Sequence, residues 1–392
     1  MIKVCSIFSQ MLHLISRSGF DTAARKHKAE RHARGFSSWG QFVAMLFCQL
    51  GGAKSLREIC GGLAASEGKL RHLGLPQAPS RSTLAYANEH RPWQLYEDVF
   101  HQLVTQCQAL AVQQSGAQHK FRFKHKLISL DATGIDLCAS VFDWARFRRT
   151  KGAVKLHLLL DHDGFLPCYA VITEGKQHEV QVARQLSYAA GTLLVMDRGY
   201  NDYTWFADLT RQGVHFVTRM KDNADYIVLE DRELPHRRGL LRDQVICFYR
   251  HARDGQESYF RRIEFYDEGQ DRVLVFLTNH LTLAAATVAE VYKQRWQIEL
   301  FFKALKQSLR IKTFVGTSAN ALKTQIWAAL IAMLLIKYLQ LKAAFGWSLS
   351  NLVALLRQQL FVYRDLWLWI DHPFQAPQLP ESLPEQLGMV WQ

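Results

Sequence analysis

Tyr292-Lys293-Gln294-Arg295-Trp296-Gln297-Ile298-Glu299, continued through Leu300-Phe301-Phe302-Lys303-Ala304-Leu305 to Lys306, is the stretch from which the rest of the chain is read. On a helix each residue turns about 100°, so Arg295 falls roughly 60°, Glu299 about 20° and Lys306 about 40° behind Tyr292. Four side chains thus leave one narrow arc: a carboxylate, two cations and a phenol. Val291, Ile298, Phe301, Phe302, Leu305 and Leu309 fall at about 180–280° on the same wheel, with the four polar residues on the border of that apolar stripe. Lys293, Lys303 and Gln307 take the remaining face. The arc therefore edges a cleft, and its chemistry suits a surface that holds a metal ion and a phosphate together. One long helix is expected from Ala284 to Leu309.

Two further carboxylates join this arc. Lys126-Leu127-Ile128-Ser129-Leu130 reads as a strand that ends in Asp131, and Thr192 to Met196 as a compact apolar strand that ends in Asp197. The carboxyl edge of an open α/β sheet is where sites are built. Two aspartates side by side repel unless a divalent cation neutralises them. With Glu299 they make an oxygen-only set suited to Mg²⁺ or Mn²⁺, and two such ions about 3.5–4 Å apart serve phosphoryl transfer. An isolated Asp at a strand end is more often a turn former or helix cap; the argument rests on all three together. Asp161-His162-Asp163 imitates a metal cluster, but Gly164 after it marks a hairpin turn. His157 faces either the core or DNA. Arg146, Arg148, Arg149 and Lys151 form a dense basic set near Asp131 and are candidate DNA contacts.

Working outward, residues 1 to about 115 read as short helices. Trp39 to Leu50 stops at Gly51-Gly52, Ser55-Leu56-Arg57-Glu58 opens the next helix as a capping box, and Ser80-Arg81-Ser82-Thr83 opens another. Trp93 to Val112 is longer. Such helices suit either a helix-turn-helix-like DNA-binding unit or a plain bundle, and the run Arg25-Lys26-His27-Lys28 with Arg31 and Arg34 either a phosphate grip or a solvated face. Val154 to Leu160 and Cys168 to Thr173 read as strands, as do four stretches between 222 and 281. A second apolar helix runs from Ala321 to Ala344, and a Pro-rich, loosely held tail follows Pro373. The 392 residues carry a net charge of +13, which favours a polyanionic partner, nucleic acid above membrane. Seven scattered cysteines with no CxxC pair suggest reduced thiols in a cytosolic protein. Ile326 to Ile336 is too short to span a bilayer.

With these residues in view, the chain resembles the IS4 family of bacterial insertion-sequence transposases. The likeness rests on Asp131-Ala132-Thr133, Asp197-Arg198-Gly199-Tyr200 and the Tyr-Arg-Glu-Lys signature at Tyr292, Arg295, Glu299 and Lys306, with support from Trp144 to Arg148 and Lys155 to His157. It covers about residues 5 to 345. The resemblance implies an RNase H-like α/β catalytic core interrupted by a β-rich insertion and preceded by an all-helical N-terminal domain. The boundaries become 1–115 for the helical DNA-binding domain, 116–221 and 284–345 for the two parts of the core, 222–283 for the insertion, and 346–392 for a tail available for dimerisation. It implies that Asp131, Asp197 and Glu299 ligate two Mg²⁺ ions, with Mn²⁺ as substitute. Tyr292, Arg295 and Lys306 would hold a terminal DNA phosphate, Arg198 being a further candidate contact. Cut-and-paste transposition by nicking, hairpin formation and strand transfer would follow, on double-stranded terminal inverted repeats and target DNA. A homodimer would pair two ends, in the cytoplasm at the nucleoid, away from any membrane. The alternatives are a DNA-binding derivative that has lost catalysis and a purely hydrolytic metal-dependent nuclease. The apolar helices after Ala321 are the candidate dimer interface.

Overall fold

Short runs rich in Leu, Ile and Val pair into one mixed sheet of ten strands. The computed structural model describes residues 5–31, 33–66, 68–115, 125–138, 142–148, 151–234, 239–249, 258–309, 311 and 313–375. The strands are β1 (Leu127–Cys138), β2 (Arg146–Arg148), β3 (Lys151–Asp161), β4 (Leu166–Glu174), β5 (Leu193–Met196), β6 (His215–Arg219), β7 (Tyr226–Asp231), β8 (Leu240–Phe248), β9 (Tyr259–Asp267) and β10 (Arg272–Thr278). Their order is β2-β3-β1-β5-β6-β10-β9-β8-β7, with β4 paired to β3. β1, β5 and β6 are parallel and central. Parallel neighbours need crossover connections; the Glu179–Gln185 helix lies on the path into β5 and the Tyr203–Arg211 helix joins β5 to β6. A strand covered on both faces must be apolar throughout. In β5, Leu193 and Val195 meet the Ala285–Gln294 helix, while Leu194 and Met196 meet Trp205, Phe206 and Leu209 of the 203–211 helix.

β3 and β4 form the expected hairpin. Gly164 and Phe165 turn it at positive φ (80° and 52°), and Asp161 Oδ1 accepts from the Asp163 amide at 3.1 Å. Asp161 also receives Gln108 Nε2 at 3.0 Å and Lys126 Nζ at 2.8 Å, and His162 Nε2 lies 2.7 Å from Ser129 Oγ. This trio is turn architecture. His157 is buried against Thr173 Oγ1 at 2.8 Å, and burial pushes its pKa down to about 4, so of its two readings it faces the core. The strand-rich stretch between 222 and 283 supplies β7 to β10. It is continuous with the main sheet, because β10 pairs antiparallel with β6 (Leu277 opposite Thr218).

The helices begin where serines can cap them: Ser37, Ser55, Ser80, Ser318 and Ser348 each accept a backbone N–H from three residues on. Six helices lie between Ile7 and Ser115. Together with the Ala319–Lys342 helix they bury one face of β1, β3 and β4. That helix alone is long and apolar enough to cross a membrane among the described residues, and 83% of its apolar window is buried inside the protein. Its residues from Ala328 to Ile336 are fully buried. An all-round apolar helix has its partners already, so the dimer interface expected there is not free: its apolar surface is spent within the chain.

Two other expectations change. The helix expected from Ala284 to Leu309 is two helices, Ala285–Gln294 and Trp296–Ser308, meeting at Arg295. The Arg295 amide donates to Tyr292 O, three residues back, which tightens the turn there. The stretch expected as a tail from 346 contains the helices Leu349–Gln359 and Leu366–Asp371, packed into the same core. The Ile7 amide donates to Val362 O and the Phe8 amide to Leu360 O. The Pro-rich segment from 376 to 392 lies outside the described residues.

Candidate active site

The site starts from the register of two parallel strands. Leu130 of β1 pairs with Met196 of β5, so Asp131, inside β1, and Asp197, the residue after β5, stand at the same level. The backbone secures both carboxylates: Asp131 Oδ1 accepts from the Ala132 amide and Asp197 Oδ1 from the Gly199 amide, each at 2.8 Å. The Asp131 side chain is only 17% exposed. Burial is the main reason its carboxyl rises from the usual 3.8 to about 6; the Ala132 amide and Arg295 pull it down, while Glu179 and Asp197 push it up.

The third carboxylate arrives on the 296–308 helix. Arg295 Nη2 donates to Glu299 Oε1 at 2.6 Å and its Nη1 stands 3.9 Å from Asp131 Oδ2. One guanidinium thus bridges β1 and the helix, with a buried Nε that has no hydrogen-bond partner. Its net pKa is raised: burial opposes the charge, but Tyr292, Glu299 and Asp131 favour it more strongly together. The Arg295 Cζ lies 5.6 Å from the centre of the Tyr292 ring, whose other neighbour is Phe276 at 5.1 Å. Burial raises the Tyr292 phenol, as does Asp197, so it stays protonated. Lys306 Nζ donates to Thr133 Oγ1 at 2.6 Å and Gly134 O at 2.8 Å, two and three residues beyond Asp131 on β1. Tyr292, Arg295, Glu299 and Lys306 are thus gathered beside Asp131 in the middle of β1, with Asp197 just past the end of β5; the strand expected to end in Asp131 runs on to Cys138, because its ladder with β3 continues past it. Asp131 and Glu299 flank one guanidinium, and Asp197 acts electrostatically on Asp131 and Tyr292, but among the described residues the three carboxylates do not close to within 4.8 Å of one another. An oxygen-only donor set of this kind fits a hard divalent cation.

The outlying candidates divide. Arg198 lies beside Asp197, half exposed, with Nη1 3.8 Å from Asp222 Oδ2. The backbone of Arg146, Arg148 and Lys151 belongs to β2 and β3, and Lys151 pairs with Cys138, seven residues past Asp131. That sets the Lys151 backbone roughly 23 Å along the strand from Asp131. The side chains of all three, and Arg149 entirely, lie outside the described residues. Lys26 and His27 of the N-terminal basic run are engaged by Asp98 Oδ2, each at 2.8 Å. Trp296, next to Arg295, is 55% exposed. The sequence reading missed Glu179, the first residue of its helix, which faces Asp131 electrostatically and pairs with Lys155 Nζ at 3.1 Å. It lines a cleft of about 470 Å³ with His178, Arg184, Gly199 and Asp202. No spacing rule marks it; the signal was a Glu opening the helix that leads into an Asp-bearing strand.

Comparison with known proteins adds the following. Residues 122–335 match the family described as transposase DDE domain, and residues 4–76 match a domain of unknown function. The chain is similar to the transposase y4zB of Sinorhizobium fredii, at 28% identity over 341 residues, covering 85% of this chain and 93% of that one. It is also similar, at 28% identity over 282 residues, to a transposase for insertion sequence element IS5377 of Geobacillus stearothermophilus, covering 71% and 72%. Among solved structures, the piggyBac transposase synaptic complex with hairpin DNA overlaps 96% of this chain and 85% of that chain, at a TM-score of 0.43 and 9% identity.

Proposed function

The chain belongs to the transposase DDE domain family, and from that premise we propose how it acts as a cut-and-paste transposase of the IS4 type. Membership makes it a bacterial insertion-sequence DDE transposase, a DNA-binding enzyme dependent on divalent metal. The finer reading is ours. Strands β4-β3-β1-β5-β6 with their helices are taken as an RNase H-like core, β7 to β10 as the insertion, and the helices before residue 116 as the DNA-binding part.

Asp131, Asp197 and Glu299 would hold two Mg²⁺ ions through carboxylate oxygens, with Mn²⁺ as substitute. Bound there, the ions supply Lewis acidity to the attacking and leaving oxygens of an in-line displacement. Arg295, Tyr292 and Lys306 bind the phosphate at the element end, the guanidinium by two-point contact and the ammonium as a point charge. Lys306 does so from a position fixed on β1, next to Asp131, so the phosphate and the carboxylates share one rigid frame. Arg198 extends the cationic rim. One phosphoryl-transfer geometry serves each step: water breaks a P–O bond and frees a 3′-hydroxyl, which attacks the opposite strand to close a hairpin. After the hairpin reopens, the same hydroxyl attacks target DNA. Two subunits pair the two inverted repeats, in the cytoplasm at the nucleoid.

The observation that carries this reading is the Leu130–Met196 register with Arg295 spanning Asp131 and Glu299. The experiment is incubation of the purified protein with Mg²⁺ and duplex DNA bearing the inverted repeats that flank its reading frame. A nick followed by a covalently closed hairpin is expected. Linear hydrolysis products alone would make it a nuclease, and binding without cleavage an inactive derivative.

A further inference from the structure

At the opposite edge of the same sheet, three histidines from distant parts of the chain converge. His125 precedes β1, His215 opens β6 and His280 follows β10. β1 and β6 begin at this edge, and β10, antiparallel to β6, ends there. The carboxylates sit six residues further along β1, roughly 20 Å away, so this is a separate place. Ring centres are 4.9 Å (His125–His215), 5.0 Å (His125–His280) and 4.3 Å (His215–His280) apart. One ring nitrogen from each lies within 4.8 Å of the others.

The hydrogen bonds decide what these nitrogens offer. His125 Nδ1 lies 2.8 Å from Gly191 O and must carry the proton there, which leaves the Nε2 lone pair facing the cluster. This is the way a backbone carbonyl orients a metal-binding imidazole. His280 Nε2 lies 3.0 Å from His125 Nε2. Its Nδ1 receives the Leu283 amide at 3.1 Å, so in the metal-free protein Nε2 carries the proton and donates to His125. That bond accounts for two imidazoles. It does not account for His215, whose Nδ1 is buried with no hydrogen-bond partner. Burial and the neighbouring rings lower His215 and bring His280 down to about 4, so both are neutral at pH 7. The nearby Arg261 is itself bound to Asp243, with Nε to Oδ1 at 2.7 Å.

We propose that His125, His215 and His280 form a Zn²⁺ site at the amino edge of the sheet, a staple joining β1, β6 and β10. Three neutral imidazoles with no carboxylate suit Zn²⁺ and exclude Mg²⁺. Tetrahedral zinc with Zn–N distances of about 2.0–2.1 Å sets its nitrogens roughly 3.3 Å apart. The His125–His280 pair already stands near that separation, and the third ring closes by side-chain rotation. On loading, the His280 proton moves to Nδ1, which then donates to Thr282 Oγ1, 3.5 Å away, and the Leu283 amide bond is given up. His125 and His215 are only partly buried, so water completes the fourth position. The staple fixes β10 to the core, and β10 leads directly into the helices that carry Tyr292 and Glu299.

The test uses full-length protein stripped with EDTA, held in excess Mg²⁺ to fill the carboxylate pocket, and titrated with Zn²⁺ against a chromophoric chelator. One equivalent should bind and raise the melting temperature. His215→Ala and His125→Gln should each weaken binding about tenfold or more and abolish the thermal shift. Circular dichroism and metal-free melting near those of the parent would show that each variant folds. Co²⁺ in place of Zn²⁺ should give the intense visible absorption of a tetrahedral site in the parent and not in the variants. Equal Zn²⁺ affinity in parent and variants, or no bound equivalent in the parent, overturns the proposal and leaves a hydrogen-bonded histidine pair.

Discussion

Asp131→Asn should make the metal-free protein more stable at pH 8 while destroying its activity. The rise of the Asp131 carboxyl from 3.8 to about 6 corresponds, at about 1.4 kcal/mol for each tenfold in proton affinity, to roughly 3 kcal/mol. The sign follows from linkage: the folded state binds this proton more tightly than the unfolded state. Stability is therefore fully present below about pH 4 and lost as pH rises through about 6. Asparagine never ionises, and its amide oxygen still accepts from the Ala132 amide. The weak 3.9 Å contact to Arg295 is lost, so a net gain of about 2–3 kcal/mol is expected at pH 8. The gain should shrink between pH 6 and 4 and vanish below. The assay is urea unfolding of both proteins in EDTA across that range, then again with Mg²⁺. Saturating Mg²⁺ should reverse the order, because only the parent keeps all three carboxylates. A gain independent of pH, or a variant less stable than the parent at pH 8, would refute the account of this carboxylate.

Glu299→Gln and Asp197→Asn should each lower DNA cleavage by at least about a hundredfold while gel-shift affinity for the element ends stays near the parent value; normal turnover would remove that residue from the site. Lys306→Ala breaks the link to Thr133 and Gly134 and should slow hairpin formation and strand transfer about tenfold more than the first nick, as read from time-resolved gels; an equal loss at every step would contradict its phosphate role. DNA affinity should fall steeply with salt, measured by anisotropy between low and physiological ionic strength, and a flat response would deny the cationic contacts. Leu334→Ala, in the fully buried part of the 319–342 helix, should cost about 2–5 kcal/mol in unfolding experiments; a loss below 1 kcal/mol would mean the core there can collapse.

The site was more legible than the scaffold around it. Helical periodicity singles out Tyr292, Arg295, Glu299 and Lys306 and a strand end singles out Asp197 because these signals are local; Asp131 reads as a strand end but lies inside β1. What the signals omit is pairing at long range. Nothing local says that β10 pairs with β6, so the strands between 222 and 283 are legible but their continuity with the main sheet is not. The convergence of His125, His215 and His280 is invisible for the same reason. The break at Arg295 escapes the wheel because its φ and ψ of −51° and −33° remain helical; only the hydrogen-bond ladder changes there. The helices after 346 are obscured by the Pro-rich segment beyond them, whose composition colours the whole stretch.

Among the described residues, the first helix is bonded to the segment that leads into the last: the backbone of Ile7 and Phe8 to Val362 and Leu360, and the Gln10 side chain to Arg364 O and the Leu366 amide. During translation the opening helix must therefore wait for more than three hundred further residues before its docking partners emerge. A message cut short near residue 345 would release a chain with every motif residue present but with Ile7, Phe8 and Met11 left bare. Such products should be captured by chaperones or degraded before they could compete with intact copies for DNA.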